Sequence, residues 1–327
     1  MLTSARLRRA VPAVLLGLAL AACAGPDLGK ANFPRTTVPV EPGAGGQGRA
    51  PTGPITDPAV ATEALRLVDP CALVEADVLR ELGQADEPRP SGWDRCATRI
   101  RDAGGKTARI SLQLGDPVAN ARDATAAIAG LPLVEREQDD GTCFASAVTS
   151  RDPNLGISAQ VTYEGGDPCR AGRTVLDKVI ATLGDQPPRR SPEPGSLLGV
   201  DPCAVLDAGV MSAVGVSEKH QASGLHGCSW RDTGPAVLLD LRLGVPPRGG
   251  DGKEPVDLGG GVTGYRERGV AGLGKCTITW QHRPAGDDLG ELVAVDYSWP
   301  GAEVDDVDPC GKARTLVDAV RAALPRA

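Results

Sequence analysis

Residues 69–83 read DPCALVEADVLRELG, and residues 201–215 read DPCAVLDAGVMSAVG. The same Asp-Pro-Cys opens DPCRAGRTVLDKVIATL at 167 and DPCGKARTLVDAVRAAL at 308. Around these tripeptides eight cysteines fall into two sets, Cys71, Cys96, Cys143, Cys169 and Cys203, Cys228, Cys276, Cys310. Their spacings are 25, 47, 26 and 25, 48, 34 residues, which marks an internal duplication with an offset near 132. Other positions follow it. Gly83 matches Gly215, and SLQLG at 111–115 matches DLRLG at 240–244. The segment bearing Arg173, Thr174, Asp177, Val179 and Leu183 matches Arg314, Thr315, Asp318, Val320 and Leu324.

Each module reads the same way. Asp69 is a natural N-cap, Pro70 fits the first helical position, and Leu73, Val74, Val78 and Leu82 form a one-sided apolar stripe, so the first DPC predicts a helix. CATRIRDAGGKTARISLQLG then reads as a hairpin, with Ile110, Leu112 and Leu114 alternating against Ser111 and Gln113. The middle segments diverge: DPVANARDATAAIAG predicts a helix, and the Gly-rich PPRGGDGKEPVDLGGG predicts a loop. Two more strands follow, CFASAVTS with ISAQVTY and CTITWQH with LVAVDYSW, and the second DPC starts a closing helix. Alternating strands need one covered face. The expected fold is therefore α+β, two tandem homologous modules, each an antiparallel sheet of about four strands with helices on one face. In this reading the tripeptide is a helix start whose cysteine points back to a strand.

Four cysteines allow three pairings. The favoured set joins each helix start to a nearby strand: Cys71–Cys96 and Cys143–Cys169, Cys203–Cys228 and Cys276–Cys310. Closing loops of about 25 residues contributes roughly 3.5 kcal/mol per bond in the chain-entropy model. There is no C-x-x-C, so reactive thiols are not expected.

Ahead of the modules, Arg6, Arg8 and Arg9 precede a short apolar run from Val11 to Ala22, the pattern of a secretory signal too short to span a bilayer. Leu20-Ala21-Ala22-Cys23 resembles the lipobox of bacterial lipoproteins. That resemblance implies diacylglycerol on Cys23 and cleavage in front of it. Dual acylation would anchor the mature chain stably to the lipid bilayer. Residues 24–56, rich in Pro, Gly and Thr, lack periodicity and read as a disordered tether with a reach of roughly 30–35 Å. The expected layout is a signal peptide over 1–22, tether over 23–58, first module over 59–184, linker over 185–199 and second module over 200–327. The prolines of DQPPRRSPEPGS suggest a semi-rigid spacer between modules.

The formal charge is −7, and loss of the three signal arginines brings it to −10. An acidic body without a basic cluster argues against a nucleic-acid partner. Aromatics are only 3% of the chain, so the cores rest on Val, Leu, Ile and Ala, which makes covalent cross-links more useful.

No catalytic constellation emerges. GGKT at 104–107 has Ile100 where a phosphate loop needs its first glycine, so it reads as a hairpin turn. His220, His226 and His282 lie only in the second module and read as surface-loop histidines, with no metal expected. EVDDVD at 303–308 lacks the oxygen-ligand spacing of a calcium loop and reads as a solvated acidic turn. The Gly-rich loop at 249–264 joins no strand to a helix and is weak as a phosphate binder. Trp230, Trp280, Tyr297 and Trp299 suit the core of alternating strands, with a ligand-facing wall as the second reading.

The DPC helix start, the Cys228-Ser229-Trp230 about 25 residues later and the C-terminal DPC helix resemble a family of actinobacterial lipoproteins classified as a domain of unknown function. They are distantly similar to the disulfide-linked extracellular sensor domains of some mycobacterial serine/threonine kinases. The resemblance covers residues 69–184 and 201–324, although Cys96-Ala97-Thr98 departs from it. It implies a lipid-anchored protein on the extracytoplasmic side of the cell membrane, and it transfers no catalytic residue or cofactor. The expected function is non-enzymatic ligand binding or sensing at the envelope, of a small molecule or cell-wall component. The alternative is a protein–protein scaffold or accessory subunit of an envelope complex.

Overall fold

The computed structural model describes residues 48–138, 140–269, 274–286, 288–299 and 308–327. The signal peptide, Cys23, the tether as far as residue 47 and residues 303–307 of the acidic run lie outside them.

The protein is α+β, with two antiparallel sheets that repeat one strand path. The first module has short helices α1 (Thr62–Leu65) and α2 (Ala76–Leu79). Its strands are β1 (Gln84–Ala85), β2 (Arg89–Pro90), β3 (Arg95–Arg101), β4 (Thr107–Pro117), β5 (Ala126–Ile128), β6 (Leu131–Gln138), β7 (Thr142–Arg151) and β8 (Asn154–Tyr163), and α3 (Pro168–Asp185) closes it. The second has α4 (Ala208–Ala213), β9 (His220–Ala222), β10 (Gly227–Trp230), β11 (Ala236–Gly244), β12 (Lys253–Asp257), β13 (Thr263–Arg268), β14 (Gly274–Pro284), β15 (Gly290–Trp299) and α5 (Pro309–Ala323). The sheet orders are β1-β3-β4-β8-β7-β6-β5, with β2 also on β3, and β9-β10-β11-β15-β14-β13-β12.

These sheets are wider than the four strands expected. Of the extra strands, β5 and β12 lie in the divergent middle segments and β6 and β13 directly after them, while β1, β2 and β9 precede the first hairpin strand of each module. The expected helix over DPVANARDATAAIAG shrinks to a 3₁₀ turn at Ala121–Asp123, because Asn120 takes a left-handed φ of 59° and Ile128 is buried in the β5–β6 pairing. Weak local helix propensity yields to sheet packing. The Gly-rich segment is likewise not a plain loop: it supplies β12, and Gly259, Gly260 and Gly261 turn at positive φ into β13.

The four tripeptides split into two kinds. Asp167 and Asp308 cap the long closing helices, accepting from Arg170 N and Gly311 N at 2.8 Å, with proline in the first turn. Asp69 and Asp201 instead accept from Cys71 N at 3.0 Å and Cys203 N at 3.1 Å and open only 3₁₀ turns. Glu75 and Asp207 have extended dihedrals there, so the α-helical residues restart after them. The disulfides are Cys71–Cys96, Cys143–Cys169, Cys203–Cys228 and Cys276–Cys310, each tying a DPC cysteine to a strand.

Leu112 faces Cys96 across β3–β4, and Leu239 faces Cys228 across β10–β11. Anchored on the disulfides, the equivalent of SLQLG is thus 238–242, two residues before DLRLG. An even shift keeps the apolar side chains on the same face. The closing helices cover that face. Val175, Leu176 and Val179 pack on β7 and β8, where Ala145, Ala147 and Ala159 leave room for a close approach. Even a Cβ on Gly172 would lie 2.9 Å from that of Ala145. In the second module Trp230, Trp280 and Tyr297 fill the wider space under Leu316, Val317 and Val320, while Trp299 stays partly exposed.

The modules are not held apart. Trp93 and Leu225 occupy the same place in the duplicated SGWDRC and SGLHGC. Trp93 of the first module packs into the core of the second, and Leu225 of the second into the core of the first. Two arginines reinforce the exchange. Arg66 donates to Leu225 O at 2.9 Å and pairs with Asp201 at 3.4 Å. Arg190 donates to Trp93 O at 3.1 Å and pairs with Asp69 at 2.8 Å. The linker, expected to be a spacer, is pinned along its length. Pro188 O accepts from Asp69 N, Arg190 N donates to Leu67 O, and Leu197 is fully buried with its N–H on Glu291. The tether also ends earlier than residue 58: Arg49 bridges Ala126, and Arg151 donates to Pro51 O and Gly53 O.

Candidate functional site

Each sheet turns its second face away from its closing helix. In the first module the register builds a polar grid on that face. One row runs Arg99, Arg109, Thr162, Thr142, Gln138 across β3, β4, β8, β7 and β6. The next runs Ala97, Ser111, Gln160, Phe144, Arg136. A third runs Arg95, Gln113, Ser158, Ser146, Val134. Hydroxyl pairs lock parts of the floor, Thr142 with Thr162 at 2.9 Å and Ser146 with Ser158 at 2.8 Å.

Two walls make this floor a trough. On one side the strand pair β2–β3 and the turn before it rise over the edge. Asp86 N donates to Arg99 O at 2.7 Å, Thr98 Oγ1 donates to Asp86 O at 2.8 Å, and the Asp86 carboxylate pairs with Arg99 at 3.2 Å. On the other side Val118 and Ala121 pack with Val148. That wall comes so close that a Cβ on Gly156 would sit 2.6 Å from Val118 Cγ2. The main hollow has a volume of about 750 Å³ and is lined by Asp86, Glu87, Arg89, Arg99, Arg109, Ser111, Gln160 and Thr162 with neighbouring backbone. A smaller hollow of about 180 Å³ lies past Phe144 and Ser146.

The second module follows the same path with different chemistry. There the row is Ser229, Leu238, Asp296, Thr277, Glu267. Asp296 accepts from Thr277 at 2.8 Å and pairs with Lys275 at 2.9 Å, and Asp240 pairs with Arg242 at 2.6 Å.

The candidates singled out in sequence do not converge. His220 is exposed, with Nδ1 on Glu218 O; His282 Nε2 meets Gly195 O; His226 is buried between the modules against Trp93. The GGKT stretch is the β3–β4 turn, where Lys106 N donates to Asp102 Oδ1. The Tyr163 hydroxyl also donates to that carboxyl and, together with backbone N–H groups, holds it below the usual carboxylate range. Glu135, Cys143 and Cys169 lie close together, but both sulfurs are spent on a disulfide and Glu135 pairs with Arg173. The arginines and Gln160 of the trough were not among the sequence candidates. Their signal was present: RCATRIR and TARISLQ alternate, and a hairpin turn at 102–106 places Arg99 opposite Arg109.

No family model matches the chain, and no curated protein sequence matches it. Among solved structures it is similar to the di-domain ARO/CYC BexL from the BE-7585A biosynthetic pathway, with 11% identity over 82% of this chain and 97% of that one and a TM-score of 0.16. It is also similar to MucB, solved in complex with MucA(peri), with 14% identity over 71% and 88% of the two chains and a TM-score of 0.13. Superpositions this loose carry no functional argument.

Proposed function

We propose that the mature protein is a lipid-anchored, extracytoplasmic binding or sensing module that takes a ligand, without turnover, in the trough of the first module. The observation that carries the reading is the trough itself. A floor of Ser111, Gln160 and Thr162 offers donors and acceptors together, and its volume of about 750 Å³ falls in the range of small-molecule sites. The carboxylates on its lining are Asp86, paired with Arg99, and Glu87, and both are exposed, which suits binding better than general acid–base chemistry. Four disulfides support an oxidising compartment, and the lipobox-like Leu20-Ala21-Ala22-Cys23 supports the anchor.

Two measurements test this. Mass mapping of membrane-extracted protein should find Cys23 acylated; an unmodified Cys23 removes the anchor from the proposal. Soluble cell-wall fragments added to ¹⁵N-labelled protein should shift amides of Ser111, Gln160 and Thr162 and be recovered unchanged. Gln160→Trp, which fills the floor, should abolish those shifts. Shifts confined to the second module, or fragments recovered cleaved, would sink the reading.

A further inference from the structure

We infer that the trough takes an anionic, polyhydroxylated ligand, with a carboxylate or phosphate seated between Arg99 and Arg109. This rests on the reading of the trough as the binding site. Arg99 and Arg109 are direct cross-strand partners on the open face, and like charges directly opposed across a sheet are destabilising. Only part of that charge is met from within. Arg99 pairs with Asp86 at 3.2 Å, both side chains more than half exposed. Arg89 and Arg109 make no ion pair or side-chain hydrogen bond among the described residues. Glu87, the other carboxylate on the lining, is exposed.

The duplication supplies an internal control. With the strands aligned on the disulfides, Arg109 corresponds to Ala236, Ser111 to Leu238 and Gln160 to Asp296. Arg99 itself corresponds to Arg231, so the second module keeps one arginine and loses its partner. The same path of strands is built without an opposed pair, and the fold does not require one. In a chain whose net charge is negative, two facing guanidinium groups leave a local excess of positive charge. Guanidinium forks match planar or tetrahedral oxyanions bidentately. Ser111, Thr162 and Gln160 lie beside them on the floor, where hydroxyl and amide groups can both donate to and accept from a sugar-like body.

The test uses the full mature chain carrying Cys23→Ser, titrated calorimetrically with glucose 6-phosphate, glucuronate and uncharged glucose at low salt. At least one of the two anions should bind tenfold or more tightly than glucose and weaken as salt is raised. Whichever binds better identifies the oxyanion as phosphate or carboxylate. Arg109→Gln should weaken binding at least tenfold, whereas Arg248→Gln, elsewhere on the surface, should not change it. Glucose binding as well as the anions, with loss of binding in Gln160→Trp, would overturn the anion inference and leave the trough as a neutral site. Anion binding unaffected by Arg109→Gln would overturn the inference too, as would the absence of binding by either anion. In that last case the cell-wall fragment experiment decides independently whether the trough binds at all.

Discussion

His226 has both ring nitrogens buried and without a partner among the described residues, its ring tilted against Trp93 at a centroid distance of 5.0 Å. Burial, and then the nearby Arg66 and Arg190, push its pKa down from 6.5 to about 3. The folded state therefore holds the imidazole neutral, while the unfolded chain binds a proton below about pH 6.5. The unfolded state carries the extra proton between those values, so the contribution is complete above pH 6.5 and is lost as pH falls toward 3. Between pH 7 and pH 4.5 the loss should be about 2–3 kcal/mol. Asp94, the equivalent residue of the first module, has its carboxyl pushed up by burial, with Asp240 and Asp116 adding to the rise against its backbone hydrogen bond and Arg95. Its slope has the opposite sign, so a variant must isolate the histidine. His226→Gln should flatten the acid limb in urea titrations at the two pH values. An unchanged difference between pH 7 and pH 4.5 would show that the buried imidazole does not control it.

Among the elements, the DPC turns divide by what their aspartates must do. Among the described residues Asp167 and Asp308 serve as helix caps alone, and Asp167→Ala should cost about 1 kcal/mol, read as a shift of the urea midpoint. Asp69 caps a turn and also receives Arg190 from the linker at 2.8 Å. Its loss should therefore couple to that arginine. A cycle over Asp69→Ala and Arg190→Ala should give roughly 0.5–1 kcal/mol of interaction, as expected of a partly exposed pair; a coupling of zero would reduce Asp69 to a cap. This division also marks how far the sequence could be read. Cysteine spacing, the capped closing helices and the alternation of Ile110, Leu112 and Leu114 are local signals, and each has a direct counterpart in the fold. The short first helices and the two middle segments were not legible. The middle segments become hairpins, β5 folding back on β6 through Ala129-Gly130 and β12 on β13 through Gly259–Gly261, and neither carries a clear period-2 alternation. The short first helices are set by the bonds of their DPC cysteines to β3 and β10, 25 residues away. The trough was half-legible. Alternation places its arginines on one face, but the walls at Asp86 and Val118 come from contacts no periodicity announces.

At the scale of the whole molecule, the contact between modules has the form of an isologous dimer interface on a single chain. Equivalent residues, Trp93 and Leu225, are exchanged between cores. The first DPC aspartate of each module receives an arginine from outside that module, Asp201 from Arg66 and Asp69 from Arg190 of the linker. A Cβ on Gly115, at φ +65°, would overlap the Leu225 side chain, so the first module has a seat shaped for its neighbour's residue. If the exchanged side chains hold the modules together, the covalent connection is dispensable once the protein has folded. A protease site placed at Ser191–Glu193, where the linker is exposed, should be cut without the halves separating on size exclusion. Trp93→Ala should change that. Truncating a buried tryptophan costs about 3–5 kcal/mol, here drawn from the core of the opposite module, and the nicked variant should elute as two species. Leu225→Ala should act in the same direction from the other side, with a smaller loss. Separation of the nicked wild-type protein would mean that the linker, rather than the exchange of side chains, keeps the two modules together.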